Sequence, residues 1–158
     1  MVRLDVCRVL EAVADNHRDR YPAATITVDA LPDLEVCAGL EVERAVDELV
    51  SNALEHGPEG TTVIIAARPD ADCVEVTVAD DGPGIPPLEA AVVEAGRETS
   101  LEHGRGLGLW LVNWIVTRYG GSFQIQPDDG TVATLTLPAI GPDESVADAV
   151  RRPTTLFR

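Results

Sequence analysis

A helical stripe followed at once by two strand-like runs is the feature that most constrains this chain. From Leu40 to Leu54, the apolar residues Leu40, Val42, Ala45, Val46, Leu49, Val50, Ala53 and Leu54 recur at the spacing of one helix face. Gly57-Pro58 then stops the helix, as a C-terminal glycine followed by proline does. The runs Thr62 to Arg68 and Cys73 to Ala79 come next, separated only by Pro69-Asp70-Ala71-Asp72. That connection fits a hairpin and leaves no residues for a helix between the strands. A doubly wound sheet needs such a helix to join parallel neighbours. The order points instead to an α+β fold: a two-layer sandwich of a mixed, largely antiparallel sheet with helices on one face.

The flanking elements agree. Leu4, Val6, Val9, Leu10 and Val13 have roughly helical spacing, and the pattern dissolves into the polar stretch Asp15 to Arg20 before Pro22. Ala24 to Val28 alternates as a short strand, and Leu34 to Cys37 reads as a second, edge strand. Residues 86–103 hold few large apolar groups and read as a connector. Leu107 to Tyr119 forms a helix with Leu109, Leu111, Val112, Ile115 and Val116 facing in, ended by Gly120-Gly121. The strands Ser122 to Gln126 and Thr131 to Leu137 follow, joined by the turn formers from Pro127 to Gly130. The ordered domain is thus expected over residues 1–138, with a disordered tail over 139–158.

Composition narrows the function classes. The 158 residues fit one domain, and with only two Trp, two Tyr and two Phe its core must rest on Val, Leu, Ile and Ala. No apolar run approaches the roughly 20 residues of a membrane span, and the N-terminus lacks the pattern of a signal peptide. These features predict a cytoplasmic chain without membrane contact. Cys7, Cys37 and Cys73 are far apart and form no Cys-x-x-Cys pair, which argues against zinc or a disulfide framework. The net charge of −15 comes from 27 acids against 12 bases, all of them Arg. Such a surface repels phosphates and argues against a nucleic-acid partner. Dispersed acids without lysine also suit a salt-loving, haloarchaeal source, because at molar salt the Debye length falls to about 3 Å and screens the self-repulsion.

Three strings carry candidate chemistry. On the first helix Glu48 and Asn52 stand at i and i+4, so both side chains point the same way. A carboxylate beside an amide oxygen suits magnesium, which keeps several waters and binds phosphates at once; the same Glu could instead accept a proton. Asp80-Asp81-Gly82-Pro83-Gly84-Ile85 follows a strand. Its glycines let a backbone pass close to a flat ring, and a carboxylate at the strand end can accept from an exocyclic amine such as adenine's. Gly104-Arg105-Gly106-Leu107-Gly108-Leu109 opens a helix, whose first amides hold anionic oxygens. A dinucleotide fingerprint would need a strand in front of it, and a polar connector stands there instead.

In this order the strings resemble the N, G1 and G2 boxes of the ATPase superfamily that unites gyrase, heat-shock chaperones, sensor histidine kinases and mismatch-repair proteins, the owners of the Bergerat ATP-binding fold. The pattern most resembles the catalytic domain of histidine kinases, where Gly-x-Gly-Leu-Gly-Leu, an apolar helix and Tyr-Gly-Gly follow one another. The similarity runs from about residue 2 to 138. It implies ATP and Mg2+ as cofactors, Asn52 as a magnesium ligand, and Glu48 as its assistant or as a base. It implies Asp80 on the adenine amino group, Gly82, Gly84 and Ile85 shaping that wall, and Gly104, Gly106 and Gly108, with Arg105 and Leu107 between them, around the phosphates. Residues 86–103 would form the lid. His56 matches a position near the nucleotide, and capping of helix-end carbonyls is the alternative. Many relatives carry Lys three residues after the Asn; here Glu55 stands there, so Arg97 or Arg105 would supply positive charge near the γ-phosphate.

The chain's only histidines are His17, His56 and His103, none in the setting of a phosphorylated dimerisation helix. The resemblance therefore implies transfer of the γ-phosphoryl group to a histidine on a separate dimerisation domain, in the same or another chain of a homodimer, and onward to a response regulator receiver domain. An anti-sigma-type serine kinase and a nucleotide-binding module without transfer activity are the alternatives.

Overall fold

The computed structural model describes residues 1–82, 105–127 and 129–151, with the backbone alone for 105–107. Strand β1 (Val2–Asp5) leads directly into helix α1 (Val6–Arg20). Leu4 therefore belongs to a strand rather than to the helix expected there. Asp5 sets the boundary: its backbone is extended and its Oδ1 accepts from the Arg8 amide at 3.2 Å, an N-cap that satisfies one of the helix's unpaired donors. The helix does not dissolve at Asp15 but runs on to Arg20. Its buried stripe Leu10, Val13, Ala14 continues through His17, which is 1% exposed.

Strand β2 (Thr25–Ala30) is parallel to β4 (Thr62–Asp70), and β4 forms a hairpin with β5 (Cys73–Asp80). The hairpin loop is shorter than expected. Asp70 pairs with Cys73, so only Ala71 and Asp72 turn the chain, and Ala71 takes a left-handed φ of 56°. The full sheet order is β2-β4-β5-β7-β6, with β6 (Ser122–Pro127) and β7 (Thr131–Pro138) antiparallel to their neighbours. Strand β3 (Glu35–Ala38) is not an edge of this sheet. It pairs with β1 in a separate two-stranded ribbon.

Helix α2 (Glu41–His56) buries the expected stripe from Val42 to Leu54 against one face of the sheet, whereas Leu40 stands before the helix and is 73% exposed; Gly57 closes the helix by donating to the Ala53 carbonyl at 3.0 Å. A Cβ at Gly57 would lie 2.5 Å from Thr61 Oγ1 and 2.7 Å from that carbonyl, so the tight exit requires glycine. Helix α3 (Arg105–Arg118) lies beside α2 and buries Leu109, Val112, Ile115 and Val116. Its C-terminal neighbour Tyr119 donates its hydroxyl to the Glu41 carboxylate at the start of α2. That hydrogen bond, with some desolvation, raises the Tyr119 pKa, so the link is present below the usual tyrosine range and lost as pH rises through the raised value. The opposite face of the sheet carries Thr25, Thr27 and the half-exposed Ile64. Among the described residues helices cover one face of this sheet, as the sequence predicts.

Residues 139–151 depart from the expected disorder. Ala139 bridges to Val36, Ile140 donates to the Glu35 carbonyl at 2.9 Å, and its side chain is 4% exposed. Arg3 reaches Glu35 at 3.1 Å, the Gly141 carbonyl at 3.0 Å and the Glu144 carbonyl. A short helix α4 (Val146–Arg151) follows. The polar composition that suggested disorder hides one isoleucine whose burial ties the segment to the β1–β3 ribbon. Ile140→Ala is expected to cost about 2–5 kcal/mol, the usual range for emptying a core site, and to lower the urea midpoint. An unchanged midpoint would show that the segment is not docked in solution.

Candidate functional site

Helix α2 serves two neighbours with two faces. Asp47 and Ser51 look toward α1; one residue on, about 100° around the helix, come Glu48 and Asn52. Both are partly buried, and Glu48 Oε1 lies 3.6 Å from Arg44 Nη2 on the same helix. The third string meets this face. A Cβ built on Gly108 of α3 would stand 2.9 Å from Glu48 Oε2, so the two helices pass at a point that leaves no room for a larger residue without moving the carboxylate.

Helix α3 begins at Arg105 rather than Leu107, which puts Gly106 and Gly108 inside its first turns. Each glycine there costs about 1 kcal/mol relative to alanine. For Gly108 the close pass at Glu48 supplies the reason. Side chains of Arg105, Gly106 and Leu107, and all of Gly84, Ile85, Arg97, Gly104 and His103, lie outside the described residues.

Asp80 ends β5, and its Oδ1 accepts from the Gly82 amide at 2.8 Å, which folds the glycine turn back on the strand end. Asp81 Oδ1 accepts from the Thr62 amide at 3.0 Å and ties the same turn to β4. A Cβ on Gly82 would come within 3.5 Å of the Gly57 Cα, so the turn abuts the exit of α2. His56, the last residue of α2, is exposed beside that exit. The first and second strings are thus brought together at Gly57 and Gly82, and the first and third at Glu48 and Gly108.

Thr131 is a residue the sequence reading passed over. It stands opposite Asp80 in the β5–β7 register, shares the helix-facing side of the sheet, and is 6% exposed. Its signal was available: it opens the alternating inward series Thr131, Ala133, Leu135, Leu137, as the one polar member. Gly130, with φ 140°, runs so close to the Asp80 carbonyl that any side chain would collide with backbone.

Among the described residues no cluster of three His, Cys, Asp or Glu gathers as a metal site. A cation at Glu48 and Asn52 would draw its other oxygens from water and from a bound ligand, a donor set that fits magnesium and not zinc. The notch that Gly108 leaves beside the carboxylate fits the same arrangement. Gly108→Ala separates site from scaffold: helix propensity should hold or raise the melting temperature, by up to about 1 kcal/mol. The displaced Glu48 carboxylate should at the same time weaken magnesium-nucleotide affinity in a fluorescence titration. Lost stability with unchanged affinity would contradict this.

Comparison with known proteins agrees with this geometry. The model of the family described as histidine kinase-, DNA gyrase B-, and HSP90-like ATPase matches residues 37–140. The alginate biosynthesis sensor protein KinB of Pseudomonas aeruginosa is 36% identical over 117 residues, 70% of this chain and 19% of KinB. The sensor histidine kinase TrcS of Mycobacterium tuberculosis is 36% identical over 127 residues, 72% of this chain and 25% of TrcS. Among solved structures, the mycobacterial sensor histidine kinase MprB superposes with a TM-score of 0.74 at 28% identity, covering 87% of this chain and 97% of that one. The chain spans a quarter or less of the length of the two curated relatives. A family match over more than half of the chain, on a fold with helices on one face of a mixed sheet, leads to one conclusion: this chain belongs to the histidine kinase-, DNA gyrase B- and HSP90-like ATPase family.

Proposed function

We propose that this chain is the ATP-binding catalytic domain of a two-component sensor histidine kinase, transferring the γ-phosphoryl group to a histidine on a separate dimerisation domain. The observation that carries the reading is the convergence of the Glu48–Asn52 face, the Asp80–Gly82 turn and the Gly108 crossing at one end of the sandwich. Asp80 accepts from the adenine amino group, with the Thr131 hydroxyl beside it as a further donor and acceptor. Gly82, Gly84, Ile85 and His56 bound the ring. Gly104, Arg105, Gly106, Leu107 and Gly108 surround the phosphates, and Arg97 or Arg105 replaces the missing lysine. Asn52 and Glu48 hold Mg2+, which when bound supplies charge neutralisation for the phosphates.

In the transfer step an imidazole nitrogen of the acceptor bonds to the γ-phosphorus while the bond to the ADP oxygen breaks. The ring proton goes to Glu48 in the alternative in which that carboxylate acts as the base rather than as a magnesium ligand. Positioning and electrostatics carry most of such chemistry. His17 is 1% exposed inside the α1–α2 contact, out of reach of a phosphoryl group, and His56 and His103 lie within or beside the strings read as the pocket, so this reading assigns the acceptor to a separate domain. The phosphoryl group then passes to the receiver domain of a response regulator. The full-length protein acts as a cytoplasmic homodimer in this reading, and the names of KinB and TrcS as sensor proteins support its two-component part.

Nucleotide titration tests the pocket and product chemistry tests the reaction. Asn52→Ala is expected to abolish the magnesium-dependent part of ATP binding, and Asp80→Asn to weaken binding with or without magnesium by about 1–3 kcal/mol, the worth of a buried charged hydrogen bond. Equal affinity in Asp80→Asn would remove the adenine assignment. Incubation with labelled ATP and a histidine-bearing dimerisation domain should give an acid-labile phosphoprotein. An acid-stable product would indicate a serine kinase, and binding without any labelling would indicate a regulatory module.

The charge of −15 supports a salt-adapted source as a separate proposal. Raising KCl from 0.1 M to 2 M, which collapses the Debye length from about 10 Å to below 3 Å, should then raise the melting temperature. A flat or falling curve would remove the halophilic reading.

A further inference from the structure

The contact between α1 and α2 contains a polar link that the core does not need for packing. His17 of α1 is 1% exposed, and its Nε2 lies 2.8 Å from Asp47 Oδ1 and 3.4 Å from Ser51 Oγ, both on α2. Its other ring nitrogen, Nδ1, is buried and has no hydrogen-bond partner among the described residues. An apolar residue of similar volume would fill this place without orphaning a polar atom, and apolar replacements of buried polar pairs are often neutral or stabilising. What leucine could not supply is direction. The Nε2–H to Oδ1 bond fixes both the rotation of α2 on α1 and its axial register, since Asp47 and Ser51 are one turn apart on the same face.

That register reaches the candidate site at once. Asp47 precedes Glu48 and Ser51 precedes Asn52, so the α1-facing pair and the site-facing pair are rigidly geared through one helix backbone. A group about 6 Å from a helix axis moves about 2 Å for a rotation of about 20°. Metal and catalytic geometry tolerates only about 0.5 Å. Apolar packing of Val46, Val50 and Ala53 leaves α2 free to settle into neighbouring rotations of similar energy, because hydrophobic contacts are non-directional.

We propose that His17 is a positioning residue for the magnesium-nucleotide site: its hydrogen bond to Asp47 sets the rotation of α2 that aims Glu48 and Asn52. The proposal rests on the reading of those residues as the magnesium-binding pair. It divides the pocket into two parts. Asp80 and Thr131 stand on the sheet and are indifferent to α2 rotation, whereas Glu48 and Asn52 depend on it.

The test uses the whole chain and a fluorescent ADP analogue, titrated in EDTA and in Mg2+. His17→Leu should leave the EDTA affinity at the wild-type value and cut the magnesium-dependent gain about tenfold, the low end for residues that orient a metal ligand, with the melting temperature held or raised. His17→Gln, whose amide nitrogen can replace Nε2 as donor, should restore most of the gain. In wild type the His17 ring N–H should give a slowly exchanging nitrogen-15 NMR signal that Asp47→Leu removes. Asp47 has a 40% exposed side chain, so Asp47→Leu carries the same titration should His17→Leu fail to fold. A magnesium gain that survives either variant overturns the proposal, as does equal loss in EDTA and in Mg2+, which marks a general structural role, or no rescue by glutamine. Wild type showing nucleotide binding without any magnesium gain would overturn the assignment of Glu48 and Asn52 and this proposal with it. Wild type showing no binding would remove the proposed function itself.

Discussion

Everything at the candidate site depends on the packing of α2. Its apolar stripe, from Val42 to Leu54, is held against the sheet, with α1 on one flank and α3 on the other. Burying a leucine- or valine-sized side chain contributes about 1.5–3 kcal/mol, so a stripe of this length holds α2 firmly on the sheet, while the directional His17–Asp47 bond sets its rotation there. The consequence is that α2 can present polar groups on its remaining face with little freedom. Glu48 and Asn52 occupy that face, and the exit at Gly57 delivers the chain to the end of the sheet where Asp80 closes the central strand β5. The candidate site is assembled by the middle and the C-terminal exit of one helix.

The places where local rules are broken lie around that helix. Glycine at position 108 weakens α3, and it is tolerated where a side chain would strike Glu48. Histidine at position 17 buries an unpaired nitrogen, and it sits where α1 meets α2. Asp80 and Thr131 put polar groups on an otherwise apolar sheet face. Such inconsistencies between local preference and global fold are expected at functional positions. Their gathering near α2 and the end of β5 supports treating that end as the site, although Ala71 takes a left-handed φ in the turn at the other end of the β4–β5 hairpin.

Much of this was legible in the sequence, for reasons that differ by element. The α2 stripe and the β4–β5 hairpin were readable because each has a long run of one period bounded by glycine and proline. The strand β1 was not, because four residues carry too little alternation and Leu4 and Val6 imitate a helix across the Asp5 cap. The C-terminal segment was misread because its order rests on Ile140 and on Arg3 from the opposite end of the chain, neither of which composition weighs. His17 was read as part of a polar helix end, since its burial depends on Asp47 thirty residues away. Of the proposed site residues, Glu48, Asn52 and Asp80 come from motif spacing. Thr131 was not, because its importance comes only from β-register with Asp80.

The central claim is that α2, the Asp80 turn and the start of α3 form one nucleotide pocket. The most direct measurement is a nitrogen-15 NMR titration of the whole chain with Mg2+-ADP. The backbone amides of Asn52, Asp80, Gly82 and Gly108 should shift together along one saturable curve, while those of the exposed sheet face, such as Ile64, stay in place. Saturable shifts that miss these four residues, or reach them with different midpoints, would contradict a single pocket.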